Sequence, residues 1–176
     1  MDFSPSKTEA LLISNKINAN RQPTLQMNDT DIEEFSSHKH LGLIFTTNLS
    51  WSLHINEICE RVSKKLDVLR GLAWTLDRKT LATLYTSYIR SIIEYGSIVY
   101  ADCNRADSQK LELLQKQAIR IITGCTMSTS SENLYKESCL EKLENRRNNH
   151  KLIMFYKIIN KKMGHRFMNC FLKTML

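Results

Sequence analysis

The chain has 176 residues, of which 42% are hydrophobic and 24% are charged, and its formal net charge is +7. This composition is ordinary for a globular protein and excludes wholesale disorder, collagen-like sequence and low complexity. The longest uninterrupted apolar run is residues 152–156, far short of the ~18 residues that predict a membrane-spanning helix.

Glycine and proline are scarce. The chain contains 5 Gly and 2 Pro, where average usage would give about 12 and about 9. Both prolines, Pro5 and Pro23, lie near the start. Because proline is the residue that most strongly interrupts a helix, the long remainder is predicted to be mostly helical.

A small strand-rich element is predicted for about residues 8–46. Ala10–Ser14 is a short apolar run behind a polar lead, which is typical of a buried strand. Thr24–Met27 alternates, and His40–Phe45 supplies a third β-like run. We expect the last two or three of these strands to pair in antiparallel fashion.

After residue 50 the apolar spacing changes to the period of helices. A first helix is predicted from about Ile55 to Leu76, with one apolar face. Asp77 is the predicted cap of a second helix that runs to about residue 101. That helix is apolar almost all round, apart from a narrow polar stripe that includes Glu94, so we expect other elements to surround it.

The remaining helices complete the predicted bundle. A third helix is capped near Asp107 and ends at Gly124, the residue type that favours a left-handed C-terminal position. A Ser/Thr-rich loop and a short helix through Leu134 follow, and then a long helix over about residues 141–163. The long helix is expected to turn its apolar side chains inward and most basic ones outward, the inward set being Leu143, Leu152, Ile153, Tyr156 and Ile159. The predicted fold is therefore mainly α (α+β), a small antiparallel β element followed by four to five helices.

Positive charge is concentrated at the end of the chain. Residues 146–176 contain eight Lys or Arg and no Asp or Glu. Such a field attracts polyanions, nucleic acid among them, although a solvated helix face is the alternative interpretation. The candidate phosphate-binding cations lie on this segment and on the first helix: Arg61, Lys64, Lys65, Arg70, Arg146, Arg147, Lys151, Lys157, Lys161 and Lys162.

No local motif for a metal site or an independent active site is found in the sequence. The five cysteines are odd in number and widely spaced, without zinc-site spacing, so we predict reduced thiols. His38 and His40 have no third ligand near them in sequence, and no phosphate-binding loop or nucleophile motif occurs. The aromatic side chains of the helical region are predicted to be core residues more often than base-stacking platforms: Trp51, Tyr85, Tyr88, Tyr95 and Tyr100.

An ordered series of short segments extends along nearly the whole chain. They are Lys7-Thr8-Glu9, His40-Leu41-Gly42, Leu49-Ser50-Trp51, His54-Ile55, Glu94-Tyr95-Gly96, residues 110–124 and Arg146-Arg147. The series resembles the region just after the polymerase active site, and the helical region beyond it, in reverse transcriptases of non-LTR (LINE-type, jockey-like) retrotransposons. Each segment is weak alone, but their order along the chain is specific.

The resemblance implies a division of the chain and two site elements. Residues 1–48 would be the palm end with a primer-supporting β element, residues 49–163 a thumb-like helical bundle, and residues 164–176 a frayed basic tail. Lys7 matches the lysine that is thought to protonate the departing pyrophosphate in the family. Leu41 and Gly42 match the element that supports the primer end.

The resemblance also implies that this chain is not an enzyme as it stands. The family's Mg²⁺-binding carboxylates belong to motifs that precede this region, and the sequence contains no Asp-Asp pair. We expect a catalytically inactive fragment with no metal and no cofactor, since Mg²⁺ is needed only by the complete parent enzyme.

The expected partners are RNA or DNA, bound weakly and without sequence preference. The alternative is a domesticated helical module that binds another protein through the surface that the palm would cover. The first twenty residues hold no apolar stretch typical of a secretory signal. We therefore expect an intracellular protein, in the cytoplasm or nucleus, with no membrane partner.

Overall fold

The computed structural model describes residues 8–13, 25–27 and 30–160. The mainly α fold with a small antiparallel β element ahead of the helices is confirmed. The strands are β1 (Gln26–Met27), β2 (Thr30–Asp31), β3 (Ser37–His40) and β4 (Leu43–Thr46). The α-helices are α1 (Ser52–Leu72), α2 (Arg78–Leu84), α3 (Arg90–Glu94), α4 (Arg105–Thr123), α5 (Ser131–Ser138) and α6 (Leu143–Ile159), and a π-helical turn (Tyr85–Ile89) joins α2 to α3.

The strands form two separate hairpins, β1 with β2 and β3 with β4. The prediction of one strand over His40–Phe45 is wrong, because Leu41 and Gly42 form a turn inside it with φ of +48° and +82°. Positive φ at both central residues is the geometry of a tight two-residue hairpin turn, which glycine accepts readily. Ala10 makes only an isolated parallel bridge with Glu34, so the predicted Ala10–Ser14 strand is not formed over its described residues.

The core lies between α1, the α2–α3 segment and α4. One face of α1 is fully buried, as its spacing predicts, but the helix ends at Leu72 rather than near Leu76. Leu111 and Ala118 of α4 complete the same apolar cluster, together with Leu143 from α6. Burial of apolar area at about 25 cal/mol per Å² is the main stabilising term for such a bundle.

The second helix is continuous from Arg78 to Glu94 only because its middle turn is π-helical. Its buried residues stand four apart along the whole segment. An α-helix has about 3.6 residues per turn, so a constant spacing of four would drift around its surface. The wider π turn absorbs this drift and keeps one face on the core: Leu81, Tyr85, Ile89 and Ile93.

Two predictions for this helix are wrong. It ends at Glu94, because Tyr95 takes an extended conformation and Gly96 follows with φ of +63°, and turns occupy the chain up to residue 102. It is also not surrounded, because the face opposite the core carries exposed Tyr88. The cap at Asp77 is confirmed, since its side chain accepts from the backbone N–H groups of Lys79 and Thr80.

Helices α4 and α5 follow the prediction closely. Gly124 ends α4 with φ of +72°, as predicted, and a short helix contains Leu134. The cap of α4 is Asn104 rather than Asp107. Asp107 lies in the first turn instead, buried, where it accepts hydrogen bonds from Ser52 and Asn104 and so ties the start of α1 to the start of α4.

A buried polar network joins the helices around Gln115. Tyr85 donates to Gln115 Oε1 at 2.8 Å, and Gln115 Nε2 donates to the carbonyl oxygen of Glu141 at 2.9 Å. Burial raises the pKa of the Tyr85 hydroxyl well above its usual range, so it stays protonated as a donor. Gln115 is fully buried, and the network therefore fixes how α4 sits against the π turn and the start of α6.

Helix α6 is rotated relative to the sequence-based prediction. Leu143 and Ile158 are buried, but four residues predicted to face inward are exposed, so that prediction is wrong for Leu152, Ile153, Tyr156 and Ile159. The helix has apolar residues on two sides, and periodicity alone therefore does not show which side faces the core. Polar contacts with the rest of the bundle fix the side that faces inward: Glu112 with the Leu143 N–H, Glu94 with Arg146, and Asp102 with Lys151.

Candidate nucleic-acid interface

The tip of the β3–β4 hairpin is fixed against the end of α3. Tyr95 donates its hydroxyl to the carbonyl oxygen of Leu41 at 2.8 Å. Gly42 lies so close that a Cβ there would be 3.3 Å from Cε1 of the Tyr95 ring. The Leu41 side chain is 77% exposed. The two residues predicted to support a primer end thus lie against Tyr95, with the Leu41 side chain projecting into solvent.

A cleft of about 360 Å³ opens between this hairpin, α1 and α3. It brings together three residues that the sequence singled out, Leu41, Gly42 and Arg61. The last of these is exposed and stands on α1. We call this feature the hairpin cleft, and its lining residues are Leu41, Gly42, His54, Ile58, Arg61, Ile92 and Tyr95.

His54 is a buried polar residue of the hairpin cleft that the sequence did not single out as a site residue. Only 4% of it is exposed, and neither ring nitrogen has a hydrogen-bond partner in the described part of the chain. Burial lowers the pKa of His54; Glu57 opposes this shift, and the cations Lys39 and Arg61 add to it. The imidazole is therefore neutral near pH 7, with one donor and one acceptor available.

Two exposed tyrosines flank the cations of α1. Tyr88 and Tyr95 are 54% and 59% exposed. Lys65 Nζ lies 4.9 Å from the centre of the Tyr88 ring, a cation–π contact, and Arg61 stands one helical turn away on α1. We call Arg61, Lys65, Tyr88 and Tyr95 the tyrosine stripe. It alternates aromatic faces with cations, which is the pattern that binds nucleic-acid strands.

The prediction that the aromatics are core residues is confirmed for only part of the set. Tyr85 and Tyr100 are fully buried. Trp51 is half-buried and packs against the core, whereas Tyr88 and Tyr95 are exposed. Helical periodicity does not reveal the exposure of these two tyrosines, because Tyr88 lies in a π turn and Tyr95 lies beyond the end of α3.

The remaining candidate cations of α1 differ in their surroundings. Lys64 is exposed and belongs to the same side of the helix as Lys65. Arg70 is exposed, but its guanidinium pairs with Asp67 at 2.7 Å. An exposed pair of this kind contributes about 0–1 kcal/mol to stability and leaves the arginine able to exchange partners.

The candidate cations of α6 are mostly engaged within the protein. Arg146 donates through Nε and Nη2 to the Glu94 carboxylate, which raises the pKa of the guanidinium. Arg147 is only 5% exposed, so its predicted outward orientation is wrong. Lys151 pairs with Asp102 at 2.5 Å, whereas Lys157 is exposed. The candidates outside the described residues are Lys7, Lys161 and Lys162.

The described residues do not fit a catalytic metal centre of the two-metal type. Within residues 8–13, 25–27 and 30–160, no group of three or more His, Cys, Asp or Glu side chains could hold a metal ion.

No helix in the same ranges has the length and apolar content needed to cross a bilayer.

Comparison with known proteins finds similarity to polymerases of transposable elements. It is 23% identical over 132 residues to the "Probable RNA-directed DNA polymerase from transposon BS" of Drosophila melanogaster, covering 72% of this chain and 14% of that protein. It is 27% identical over 100 residues to a "Retrovirus-related Pol polyprotein from type-1 retrotransposable element R1" of Bradysia coprophila, covering 55% of this chain and 10% of that protein. The "RNA-directed DNA polymerase from mobile element jockey" of Drosophila melanogaster is 23% identical over 124 residues, covering 69% of this chain and 14% of that protein.

These similarities confirm the resemblance to non-LTR, jockey-like reverse transcriptases that the ordered motifs predict. The chain spans about a tenth to a seventh of the length of these three relatives. No family model and no solved structure matches it.

Proposed function

We propose that this region is the primer-supporting hairpin and thumb of a non-LTR-type RNA-directed DNA polymerase, and that it grips nucleic acid without catalysing nucleotide transfer. The observation that carries the proposal is the placement of Leu41, Gly42 and Arg61 around one cleft, continuous with the tyrosine stripe. Weak, sequence-independent binding of RNA or DNA is the activity that such a surface supports.

The chemistry of the surface favours backbone and stacking contacts. Arg61, Lys64 and Lys65 supply charge along one side of α1, and charge of this kind neutralises phosphates whatever the sequence. Tyr88 and Tyr95 offer exposed ring faces, and stacking of a base on such a ring is worth about 1–3 kcal/mol. Base-edge readout would need several convergent polar groups that a base can reach, and both ring nitrogens of His54 are buried.

The proposed lack of nucleotide-transfer activity follows from the missing metal-binding carboxylates. The chain has no Asp-Asp pair, and no group of three or more metal-binding side chains occurs among the described residues. Phosphoryl transfer would therefore lack the metal ions that stabilise the charge of its transition state. Purified protein with a primer–template, all four deoxynucleotides and Mg²⁺ or Mn²⁺ is expected to extend no primer above a protein-free control. Extension above that control would contradict the proposal.

Binding is tested with two matched variants, each of which removes three positive charges. The first replaces Arg61, Lys64 and Lys65 of α1 with Gln, and the second replaces Lys79, Lys136 and Lys142, which are exposed elsewhere. A fluorescent RNA–DNA duplex is titrated at several salt concentrations. Each lost phosphate contact flattens the log–log salt slope by about 0.9. The α1 variant is expected to bind more weakly with a flatter slope, and the control to match the wild type. If both variants bind the duplex equally weakly, net charge alone explains the loss of affinity, and the proposed surface is rejected.

A second candidate function is protein binding, and one observation favours it. Helix α6 presents a cluster of exposed apolar side chains, and clusters of this kind often mark interaction surfaces. Its members are Leu152, Ile153, Phe155, Tyr156 and Ile159. Self-association that is lost when Ile153 and Ile159 are replaced with Ser, while duplex binding persists, would assign a separate protein contact to α6.

A further inference from the structure

A second cleft, distinct from the hairpin cleft, opens where the turn after α3 meets the starts of α4 and α6. Its volume is about 630 Å³, and its walls are mainly polar. We call it the polar cleft. The residues that matter for its chemistry are Asp102, Arg105, Ser108, Glu144, Arg147 and Asn148.

Arg147 is the unusual member of the polar cleft. It is 95% buried, its Nη2 donates to Ser108 Oγ at 2.6 Å, and its Nη1 has no hydrogen-bond partner among the described residues. No carboxylate of those residues is paired with it. A buried guanidinium without a counter-anion is costly, because removal from water is offset only when an opposite charge and further hydrogen bonds replace that water.

The acidic residues of the cleft do not supply that counter-anion. Asp102 is held by Lys151 at 2.5 Å, and its side chain is largely in solvent. Glu144 is exposed in the first turn of α6. Arg147 therefore lacks the partner that Arg146, its neighbour in sequence, finds in Glu94.

The other walls of the polar cleft suit an anion. Arg105 is the first residue of α4, a helix of 19 residues whose N-terminal end favours negative charge. The hydroxyl of Ser108 and the side-chain amide of Asn148 are further groups able to donate hydrogen bonds.

We propose that the polar cleft binds a phosphate group, with Arg147 as its buried anchor and Arg105 and Ser108 as further contacts. An arginine fork matches the geometry of phosphate oxygens and supplies charge that is always present. The volume exceeds that of one inorganic phosphate, so the group can be free or carried by a polynucleotide backbone. The proposal goes beyond the tyrosine stripe, which lies on α1, the π-helical turn and Tyr95 after α3.

The test measures the thermal unfolding midpoint of the full chain in sodium phosphate and in sodium chloride at matched ionic strength. Wild-type protein is expected to show a phosphate-specific, saturable rise. Arg147→Met removes the buried charge and should raise the half-saturating phosphate concentration at least tenfold. Lys136→Gln, which removes an exposed cation of α5, should respond like the wild type.

A second variant covers the case in which Arg147→Met does not fold. Arg105→Gln combined with Ser108→Ala leaves the buried guanidinium in place, and it too should raise the half-saturating concentration at least tenfold. No phosphate-specific rise in the wild type, or an undiminished rise in whichever variants fold, would overturn the proposal.

The source of the phosphate is resolved by competition with the fluorescent duplex. Displacement by inorganic phosphate from the wild type but not from Arg147→Met identifies a polynucleotide phosphate in the cleft. A saturable phosphate response without displacement identifies a free phosphate. Either outcome supports the site, and the second is independent of whether the tyrosine stripe binds nucleic acid at all.

Discussion

Glu94 illustrates how a residue that looks solvated in sequence can be a structural tether. It was predicted to lie on a polar stripe, yet its carboxylate is 20% exposed and joins Arg146 of α6 to Arg90 of its own helix. Two partly buried guanidinium groups therefore depend on one carboxylate. The orientation of α6 rests on this contact at its N-terminal end.

The first prediction concerns this tether. Glu94→Gln should lower the free energy of unfolding by about 1–2 kcal/mol, because two partly desolvated cations lose their counter-charge. Glu137→Gln is the control, since its side-chain pair with Arg78 is exposed and should contribute less than about 1 kcal/mol. Urea unfolding measures both. Equal losses would show that Glu94 is as solvated as Glu137.

The second prediction concerns pH and His54. Its pKa is lowered in the folded protein, so the unfolded chain binds the proton more readily and stability falls as pH drops below about 6.5. His54→Leu removes both unpartnered nitrogens and should abolish this component while leaving the fold intact at pH 7.5. Urea unfolding at pH 7.5 and 5.5 compares the two proteins. An identical pH dependence would assign the acid loss to other groups.

At the scale of elements, the helices that are regular in sequence were predicted well and the irregular ones were not. The apolar face of α1, the Asp77 cap and the Gly124 end follow from local rules. The π turn does not, because three successive spacings of four residues match neither the period of an ideal α-helix nor the pattern of a helix break. The orientation of α6 depends on ion pairs with residues far away in the chain, which no local pattern contains.

The same limit applies to the candidate site. Leu41, Gly42 and Arg61 were identified from sequence, but their common cleft arises from the hairpin turn and the Tyr95 hydroxyl. Arg147 was identified as a cation, yet its burial depends on packing between α4 and α6. The sequence shows which residues are cations, but whether each one is exposed depends on tertiary contacts.

The third prediction compares two glycines on helices. Gly124→Ala should destabilise the protein by about 1 kcal/mol, because the residue has φ of +72° although space around it is open. Gly71→Ala should stabilise it by about 0.5–1 kcal/mol, because Gly71 is inside α1 with nothing within 4 Å of an added Cβ. Thermal unfolding should shift in opposite directions. A shared direction would mean that one of these helix positions is wrongly assigned.

At the scale of the whole molecule, three surfaces lie in different places. The hairpin cleft lies between the β3–β4 hairpin, α1 and α3, with the tyrosine stripe beside it. The polar cleft lies at the starts of α4 and α6, and the exposed apolar cluster of α6 lies along the second half of that helix. The proposed function assigns nucleic-acid binding to the first of these surfaces. It also separates that surface from the contact through which α6 would meet a protein.

The central claim is that nucleic acid binds at the hairpin cleft and the tyrosine stripe, and a residue-resolved titration tests it most directly. The amide resonances of isotope-labelled protein are followed by NMR as a short RNA–DNA duplex is added at low salt. The account predicts that the largest concentration-dependent shifts fall on residues 41–42, 61–65, 88 and 95. Shifts confined to the exposed apolar residues of α6 would contradict the central claim, and so would the absence of any saturable shift.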